Sequence, residues 1–267
     1  MLAQERQAII LEMFQQHHVI KISDIAAQFG ISNLTARRDV GALEEQNLVR
    51  RVYGGAVLVR NAAQEAPVAP DGKKAAHPVW SEKRAIGKQA ASMIQEGDIV
   101  FLGTGSTVLE VAKHMRHLSN VTVLTNSLAV INALSDTSNT IYILGGLLDK
   151  NEHHTQGTFA SSMLETFCAD KAFIGCGGVS LDLGVTDYSN PVADIDRIMV
   201  KNASQSILVC NSHKFGSRAL SIVCPLASLS TIITDEGISV KYRDGIAKAG
   251  VDLCLIQLVE NALPDAD

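Results

Sequence analysis

The sequence lacks most of the features that would indicate a membrane, secreted or metal-binding protein. Aromatic residues make up 4% of the 267 residues, no run of about eighteen apolar residues occurs, and the N-terminal MLAQERQAII is charged where a signal peptide needs an apolar core. The five cysteines are an odd number without a C-x-x-C pair. We therefore expect a cytoplasmic protein with no membrane partner, metal or cofactor, and with reduced cysteines that lie mainly in the core.

Adjacent histidines give no support to a metal site either. Neighbouring residues cannot share one face of a helix, so the pairs His17-His18 and His153-His154 do not have the spacing of metal ligands. We expect these pairs to lie on the surface.

Charge is unevenly distributed along a chain whose net charge is −5. Residues 1–60 contain seven basic and six acidic residues, a net charge of +1, and the rest contains sixteen basic and twenty-two acidic residues, a net charge of −6. A basic surface, if present, is confined to the first segment. One weakly basic segment binds a polyanion weakly, so we expect several copies of the chain to act together as a homo-oligomer.

Residues 22–45 have the pattern of two helices joined by a sharp turn. Ser23 caps the first helix, Gly30 ends it, and Ser32 caps a second helix in which apolar residues recur at helical spacing. The buried stripe of this second helix consists of Ala36, Val40 and Leu43. The short turn forces the helices to cross, which is the spacing of a helix-turn-helix unit.

The residues that follow predict two strands about a glycine turn. Leu48 to Val52 and Ala56 to Val59 flank Tyr53-Gly54-Gly55, and a hairpin of this kind forms a wing that can lie on phosphates. The outward face of the preceding helix is basic near its N-terminus. The residues expected to contact double-stranded operator DNA are Asn33, Leu34, Thr35, Arg37, Arg38, Arg50 and Arg51. The alternative is a small helical cap whose arginines are merely solvated.

The composition then changes twice. Residues 61–79 are rich in alanine and proline and predict a linker between a DNA-binding domain at 1–60 and a larger domain at 80–260. In the larger domain, helices alternate with short continuous apolar runs that are typical of buried parallel strands. The predicted helices are 82–95, 107–117, 127–135, 158–167, 190–204 and 239–249, and the strands are 98–102, 121–124, 140–144, 171–175, 206–210, 230–234 and 252–257. This series predicts a Rossmann-like, mostly parallel α/β sheet.

A loop suited to an anion follows the first predicted strand of this sheet. In Gly103-Thr104-Gly105-Ser106-Thr107 the glycines allow close approach, the amides of the next helix point at the ligand, and hydroxyls add donors. No Gly-Lys-Ser/Thr follows, so the loop is not a P-loop, and Val108 replaces the third glycine of a dinucleotide motif. A plain capped turn remains the alternative to a phosphate site.

Four other loops fall at comparable strand ends, where ligands bind in such sheets. They are Thr125 to Ser127, Gly145-Gly146, Gly175 to Gly178, and Asn211 to Phe215, whose only cation is Lys214. Together they offer donors for a hydroxylated, phosphorylated small molecule. The residues expected to bind this effector are Thr104, Gly105, Ser106, Thr107, Asn126, Ser127, Gly146, Gly177 and Lys214.

The residues of these motifs resemble those of the DeoR family of transcriptional regulators. TARRDVGALEEQNLVRRVYGGA resembles its recognition helix and wing, with Ala36 where a larger aliphatic residue is usual. GSTV, TNS, ILGG, Gly184-Val185-Thr186 and SHKFG resemble its sensor domain, which is related to sugar-phosphate isomerases. The resemblance implies an oligomeric winged helix-turn-helix repressor of a carbohydrate operon that is regulated by a phosphorylated sugar. Gly103 and Asn211 stand where the family usually has acidic residues, so we expect less negative charge in the pocket.

The competing interpretation is a sugar-phosphate isomerase. GTGSTV is as similar to the phosphate loop of ribose-5-phosphate isomerases as to that of the regulators. Isomerisation needs a carboxylate that moves a proton between adjacent carbons, but this chain has Cys176 to Val179 where those enzymes have an acidic cluster. The later carboxylates, Asp182, Asp187, Asp194 and Asp196, are expected at the surface or at helix caps. We therefore expect no catalytic residues.

Overall fold

The structure is a computed structural model that describes residues 6–7, 9–11, 13–14, 19–45, 48–52, 55–58 and 78–257. The chain divides into two compact units between Val68 and Ala69. Across the described residues, no helix combines the length and the apolar character needed to cross a membrane.

The first unit is a helix-turn-helix with a small antiparallel sheet. Its elements are α1 (helical residues 6–7, 9–11 and 13–14), β1 (Val19–Lys21), α2 (Ile22–Phe29), α3 (Asn33–Glu45), β2 (Val49–Val52) and β3 (Gly55–Leu58). The strand order is β1-β3-β2, with Arg50 paired to Val57 and Arg51 to Ala56. The winged helix-turn-helix is therefore confirmed, and β1 is an addition that the sequence did not predict. Tyr53 and Gly54 of the expected turn lie outside the described residues.

Local sequence explains how α3 begins and which face it buries. Gly30 has a φ of 61° after α2, and the Thr35 amide donates to Ser32 Oγ at 3.1 Å, which caps α3. The predicted stripe of Ala36, Val40 and Leu43 is buried against α1 and α2 residues in one apolar core. The outward residues of α3 are thereby held in a fixed orientation.

An ion pair fastens α3 to α1. Asp39 is 3% exposed and accepts hydrogen bonds from Arg6 Nε at 2.6 Å and Arg6 Nη2 at 3.1 Å. A two-point contact of this kind fixes orientation as well as distance. Asp39 thus has a structural role within the Arg37-Arg38-Asp39 run, whose two arginines point to solvent.

The second unit is built on a seven-stranded sheet in the order β15-β14-β12-β9-β4-β5-β6, in which every neighbouring pair is parallel. Its strands are β4 (Ile99–Leu102), β5 (Thr122–Thr125), β6 (Thr140–Ile143), β9 (Ala169–Ile174), β12 (Ala203–Val209), β14 (Thr231–Asp235) and β15 (Asp252–Ile256). Its helices are α4 (Pro78–Ala91), α5 (Ser106–His114), α6 (Leu128–Leu134), α7 (Thr158–Leu164), α8 (Asn190–Asn202) and α9 (Val240–Lys248). Each side of the sheet has its own apolar core. The predicted α/β class is confirmed.

Five short strands were not predicted. β7 (Leu147–Asp149) pairs with β8 (His154–Gln156), and β10 (Gly178–Ser180), β11 (Gly184–Asp187) and β13 (Ser221–Cys224) form a second antiparallel sheet. These strands have only three or four residues, and most of them include polar residues or glycine, so they lack the longer apolar runs by which the parallel strands were found. The structure also begins α4 at Pro78, inside the predicted linker.

A glycine sets the distance between α4 and α5. A Cβ atom at Gly87 would lie 2.4 Å from Glu110 Cβ and 2.7 Å from the Glu110 carbonyl carbon. Only glycine allows this separation without movement of a backbone, since real Cβ atoms do not approach so closely. The close packing brings the first turns of α4 next to the start of α5.

Candidate functional site

The polar loops of the second unit follow the carboxyl ends of adjacent parallel strands. β9, β4 and β5 are neighbours, and the Gly103 amide donates to the Phe173 carbonyl at 3.0 Å where β4 and β9 end. In sheets of this kind, ligands bind at this edge. The loop at 103–107 therefore lies in the position that a ligand-binding loop takes in the fold.

The start of α5 has the features of an anion site. Gly105 is its N-cap, with a φ of 107° and no side chain to bond the first amides of the helix. The first amides of a helix have no partner within it, and they attract negative charge. Thr104 and Ser106 are half-buried, and Thr107 is 8% exposed.

A cation that the sequence did not single out contacts this loop. Lys83 of α4 is 7% exposed, and its Nζ donates to Ser106 Oγ at 2.8 Å. It reaches the loop because α4 packs closely on α5 at Gly87. In the sequence, Lys83 is one of several charged residues at the start of a helix, and only the packing of the two helices distinguishes it.

Lys214, the predicted cation, lies in a different part of the site. Its Nζ is 5.7 Å from the centroid of the Tyr188 ring. Burial raises the pKa of Asp187, and the charge of Lys214 acts against this rise. Gly177 is buried beside the Tyr188 ring, and its amide donates to the Thr186 carbonyl at 2.8 Å. Lys214 and Gly177 thus meet around Tyr188, whereas Lys83 contacts the loop that starts α5.

Of the remaining residues predicted to bind the effector, Ser127 and Asn126 make hydrogen bonds within the fold and Gly146 is exposed. Ser127 caps α6 by accepting from the Val130 amide at 3.4 Å. Asn126 is 1% exposed, its Nδ2 donates to the Thr155 carbonyl at 2.9 Å, and its Oδ1 has no hydrogen-bond partner. Gly146 is exposed, and a Cβ there would meet the Gln156 carbonyl oxygen at 2.6 Å.

One of the candidate carboxylates, Asp196, does not lie where the sequence suggested. Asp196 was expected at the surface or in a cap, but it is 3% exposed within α8 because it lies on the face of α8 that packs on the sheet. Burial raises the pKa of Asp196 well above its ordinary value, and the nearby charge of Asp187 raises it further. Of the other candidates, Asp194 pairs with Arg197 at the surface and Asp182 with Arg218.

Buried acidic residues lie beside both Gly103 and Asn211. Asp196 Oδ1 lies 3.0 Å from the place that a Cβ of Gly103 would occupy. Asn211 Nδ2 donates to Oε2 of Glu82, which is 9% exposed, at 3.3 Å, and burial raises the pKa of Glu82. Neighbouring helices thus place carboxyl groups beside both positions, and burial favours the neutral form of each.

His154 is a second correction. It was expected at the surface with His153, but it is 3% exposed and its Nε2 has no hydrogen-bond partner. The cause is the β7–β8 hairpin, which exposes His153 at a φ of 54° and turns the next residue inward. Over the described part of the chain, no three histidine, cysteine or acidic residues lie close enough to hold a metal ion.

Two surface grooves lie away from these polar loops. One of about 570 Å³ lies beside α9 and is lined in part by Leu181, Pro225 and Gly245. Another of about 620 Å³ lies at the opposite end of the sheet, near Ile99 and Asp170. Neither contains a predicted effector residue, so the chemistry of the loops and not the size of a groove identifies the candidate site.

In the first unit, the predicted DNA-contacting residues of α3 form one exposed surface. Leu34 is 63% exposed, Asn33, Arg37 and Arg38 are exposed, and Thr35 is half-buried. A leucine so exposed at the N-terminus of α3 contributes nothing to the core of the unit. The side chains of Arg50 and Arg51 lie outside the described residues.

Together, the two units define a ligand-responsive DNA-binding protein. Residues 6–62 match the family model of the DeoR-like helix-turn-helix domain, and residues 80–236 match that of the DeoR C-terminal sensor domain. The chain therefore belongs to the DeoR family of transcriptional regulators.

Named relatives agree with this assignment. The chain is 35% identical to the transcriptional repressor AccR of Agrobacterium fabrum, over 88% of this chain and 90% of that protein. It is 33% identical to the HTH-type transcriptional repressor GlcR of Bacillus subtilis, over 96% of this chain and 98% of that protein. A solved D-ribose-5-phosphate isomerase in complex with phospho-erythronic acid is 17% identical, with a TM-score of 0.40 over 52% of this chain and 55% of that one. The family and these repressors support a regulator and not an isomerase.

Proposed function

We propose that the protein is a sequence-specific repressor of a carbohydrate-utilisation operon and that a phosphorylated sugar regulates its binding to operator DNA. The observation that carries the effector assignment is the Lys83 to Ser106 contact of 2.8 Å at the uncapped start of α5. A buried ammonium, hydroxyls and the first amides of a helix are all donors, and a phosphate is an acceptor for such groups.

The proposed phosphate subsite consists of the start of α5 and the buried lysine from α4. Thr104, Gly105, Ser106 and Thr107 surround the anion, and Lys83 supplies the charge next to Ser106. Lys214, near Asp187 and Tyr188, belongs to the part of the pocket that faces the sugar. Asn126, Ser127, Gly146 and Gly177 complete the proposed set.

The proposed DNA surface is the exposed face of α3 and the hairpin that follows it. The arginine that lies near the N-terminus of a recognition helix can reach guanine, and an exposed leucine can contact a thymine methyl group. Arg38 and Leu34 fit these roles, while Arg37, Asn33 and Thr35 flank them. Arg50 and Arg51 of β2 are proposed to contact phosphates.

The second unit is proposed to hold two or more chains together, which brings several weakly basic first units onto one operator. Exposed apolar side chains cluster along a short stretch that includes the edge strand β6: Tyr142 is 42% exposed, Ile143 50%, Leu147 70% and Phe159 83%. Buried apolar side chains of this size stabilise an interface. Residues 61–77 are proposed to join the domains, and residues 80–267 alone should sediment as a dimer or a larger species. A monomer at micromolar concentration would contradict this part of the proposal.

A thermal-shift screen tests the effector assignment. A ligand at 100 times its Kd should add roughly 2.7 kcal/mol to the free energy of unfolding, so a specific sugar phosphate should raise the Tm and its unphosphorylated parent should not. The same compound should change the affinity for operator DNA in a mobility-shift assay. If no sugar phosphate raises the Tm or alters DNA binding, the proposed effector class is wrong.

A further inference from the structure

Two buried acceptor atoms near the candidate site have no partner. Among the described residues, Asp196 Oδ1 and Asn126 Oδ1 are buried without a hydrogen bond, in side chains that are 3% and 1% exposed. Buried polar atoms are nearly always paired in folded proteins, because a buried and unpaired group costs stability. Atoms left unpaired in the protein alone are therefore candidates for contacts with a ligand.

The position of Asp196 relative to the phosphate loop is well defined. Its Oδ1 lies 3.0 Å from the place that a Cβ of Gly103 would occupy, and Gly103 immediately precedes the loop that starts α5. Cys176, in the loop after β9, and Asp187, at the end of β11, are close enough to raise the pKa of Asp196. The carboxylate thus lies at the carboxyl edge of the sheet, between the ends of β4 and β9, and glycine at position 103 leaves it room.

Asn126 lies at the end of the neighbouring strand β5. Its Nδ2 is already used by the Thr155 carbonyl, so the free Oδ1 can only accept a hydrogen bond. A phosphate dianion carries no hydrogen-bond donor for these two oxygens. The acceptors must therefore face a part of the ligand that carries donors.

We infer that Asp196 determines specificity for the sugar end of the effector, by accepting a hydrogen bond from a hydroxyl group, and that Asn126 Oδ1 accepts a second one. This inference rests on the proposed function, since it assigns the other end of the same site. Donors at Lys83, Ser106 and the α5 amides face the phosphate, and acceptors at Asp196 and Asn126 face the hydroxyls. The ligand class is a phosphorylated molecule with at least two free hydroxyls.

Calorimetric titration of the full chain tests the assignment. The probes are inorganic phosphate, glycerol 3-phosphate, D-ribose 5-phosphate, D-glucose 6-phosphate and D-fructose 6-phosphate. Asp196→Ala removes the acceptor, and Asp194→Ala, on the half-exposed side of the same helix, is the matched control. We expect Asp196→Ala to lose roughly tenfold or more in affinity for the sugar phosphate that binds the wild type, with unchanged affinity for inorganic phosphate. Asp194→Ala should bind both probes like the wild type.

Folding of the variant is checked without ligand. An acid whose pKa is raised in the folded state destabilises that state above its ordinary pKa, so Asp196→Ala should keep or raise the Tm at neutral pH. Gly103→Ala is a second variant that keeps the carboxylate but places a Cβ 3.0 Å from Oδ1, and it should also weaken the sugar phosphate more than inorganic phosphate.

The outcomes separate this inference from the function on which it rests. If the wild type binds a sugar phosphate and Asp196→Ala binds it equally well, or loses both probes equally, Asp196 does not read the hydroxyl and the inference is overturned. If the wild type binds none of the sugar phosphates, the proposed effector class itself fails, and this inference fails with it.

Discussion

The α3 side chains Leu34, Arg37 and Arg38, proposed to bind DNA, are exposed, whereas Lys83, Asn126 and Asp196, proposed to bind the effector, are buried in the second unit. Leu34 is 63% exposed on α3, but Lys83 is 7% and Asp196 3% exposed. Within the described residues, all four buried side-chain atoms that lack a hydrogen-bond partner belong to the second unit. The difference follows from the ligands: a DNA groove is a large surface that an exposed helix can enter, while a small molecule must be surrounded to be recognised.

The two units should therefore respond differently to substitutions. The first unit can lose an outward side chain without a change in its core, since Ala36, Val40 and Leu43 face the other way. The second unit has its ligand groups between packed elements, so a change of packing there also changes the site. The predictions below test this contrast, from the largest effect to the smallest.

The largest effect is expected at the contact between α4 and α5. Gly87→Ala would place a Cβ 2.4 Å from Glu110 Cβ, and the overpacking should lower the free energy of unfolding by about 3 kcal/mol. Because the same contact brings Lys83 to Ser106, effector affinity should fall as well. Thermal unfolding of residues 78–257 within the full chain, followed with and without the sugar phosphate, measures both. A variant with the wild-type Tm would show that the helices can separate freely.

The exposed Arg38 should contribute to DNA recognition and very little to the stability of the first unit. Arg38→Ala should cost about 1–3 kcal/mol on operator DNA and relax the sequence preference, with little change in the Tm. Arg51→Ala is the comparison, since loss of a phosphate contact should weaken all DNA sequences alike. Footprinting on the operator and on a scrambled sequence distinguishes the two. Unchanged affinity and preference for Arg38→Ala would remove this residue from the proposed base contacts.

The buried lysine should matter for the effector and not for the DNA. Lys83→Ala should weaken the sugar phosphate roughly tenfold, because a hydrogen bond from a charged group to phosphate is lost. Lys88→Ala is the matched control, an exposed lysine on the same helix. Lys214→Ala should also blunt the response of operator binding to the effector. If Lys83→Ala shows the wild-type dose dependence, the phosphate is held elsewhere.

The smallest effect has the opposite sign and is expected in the first unit. Gly41 lies within α3, and a Cβ at this position would meet no atom within 4 Å. Gly41→Ala should therefore stabilise the unit by about 0.5–1 kcal/mol through the lower entropy of the unfolded chain. Replacement of glycine by alanine is thus expected to stabilise the protein at position 41 in α3 and to destabilise it at position 87 in α4. A lower Tm of the first unit in Gly41→Ala would mean that α3 has a neighbour at this position.

Sequence patterns predicted the features that depend on local order and missed those that depend on packing. The buried stripe of α3 follows from helical spacing and the seven parallel strands from their apolar runs. The local sequence does not show that Lys83, Glu82 and Asp196 are buried, because a charged residue in a helix is usually solvated. Their burial results from where α4 and α8 lie on the sheet. Among the antiparallel strands missed in the second unit, β7, β8 and β10 have only three residues each, too few to show an alternating pattern.

The contact between Lys83 and Ser106 also links the chemistry of the site to the path of the chain. α4 is the first described element after residue 58, and Lys83 lies less than two helical turns from Pro78, where that helix begins. A phosphate bound next to the Lys83 ammonium would therefore contact the helix with which the described part of the second unit begins.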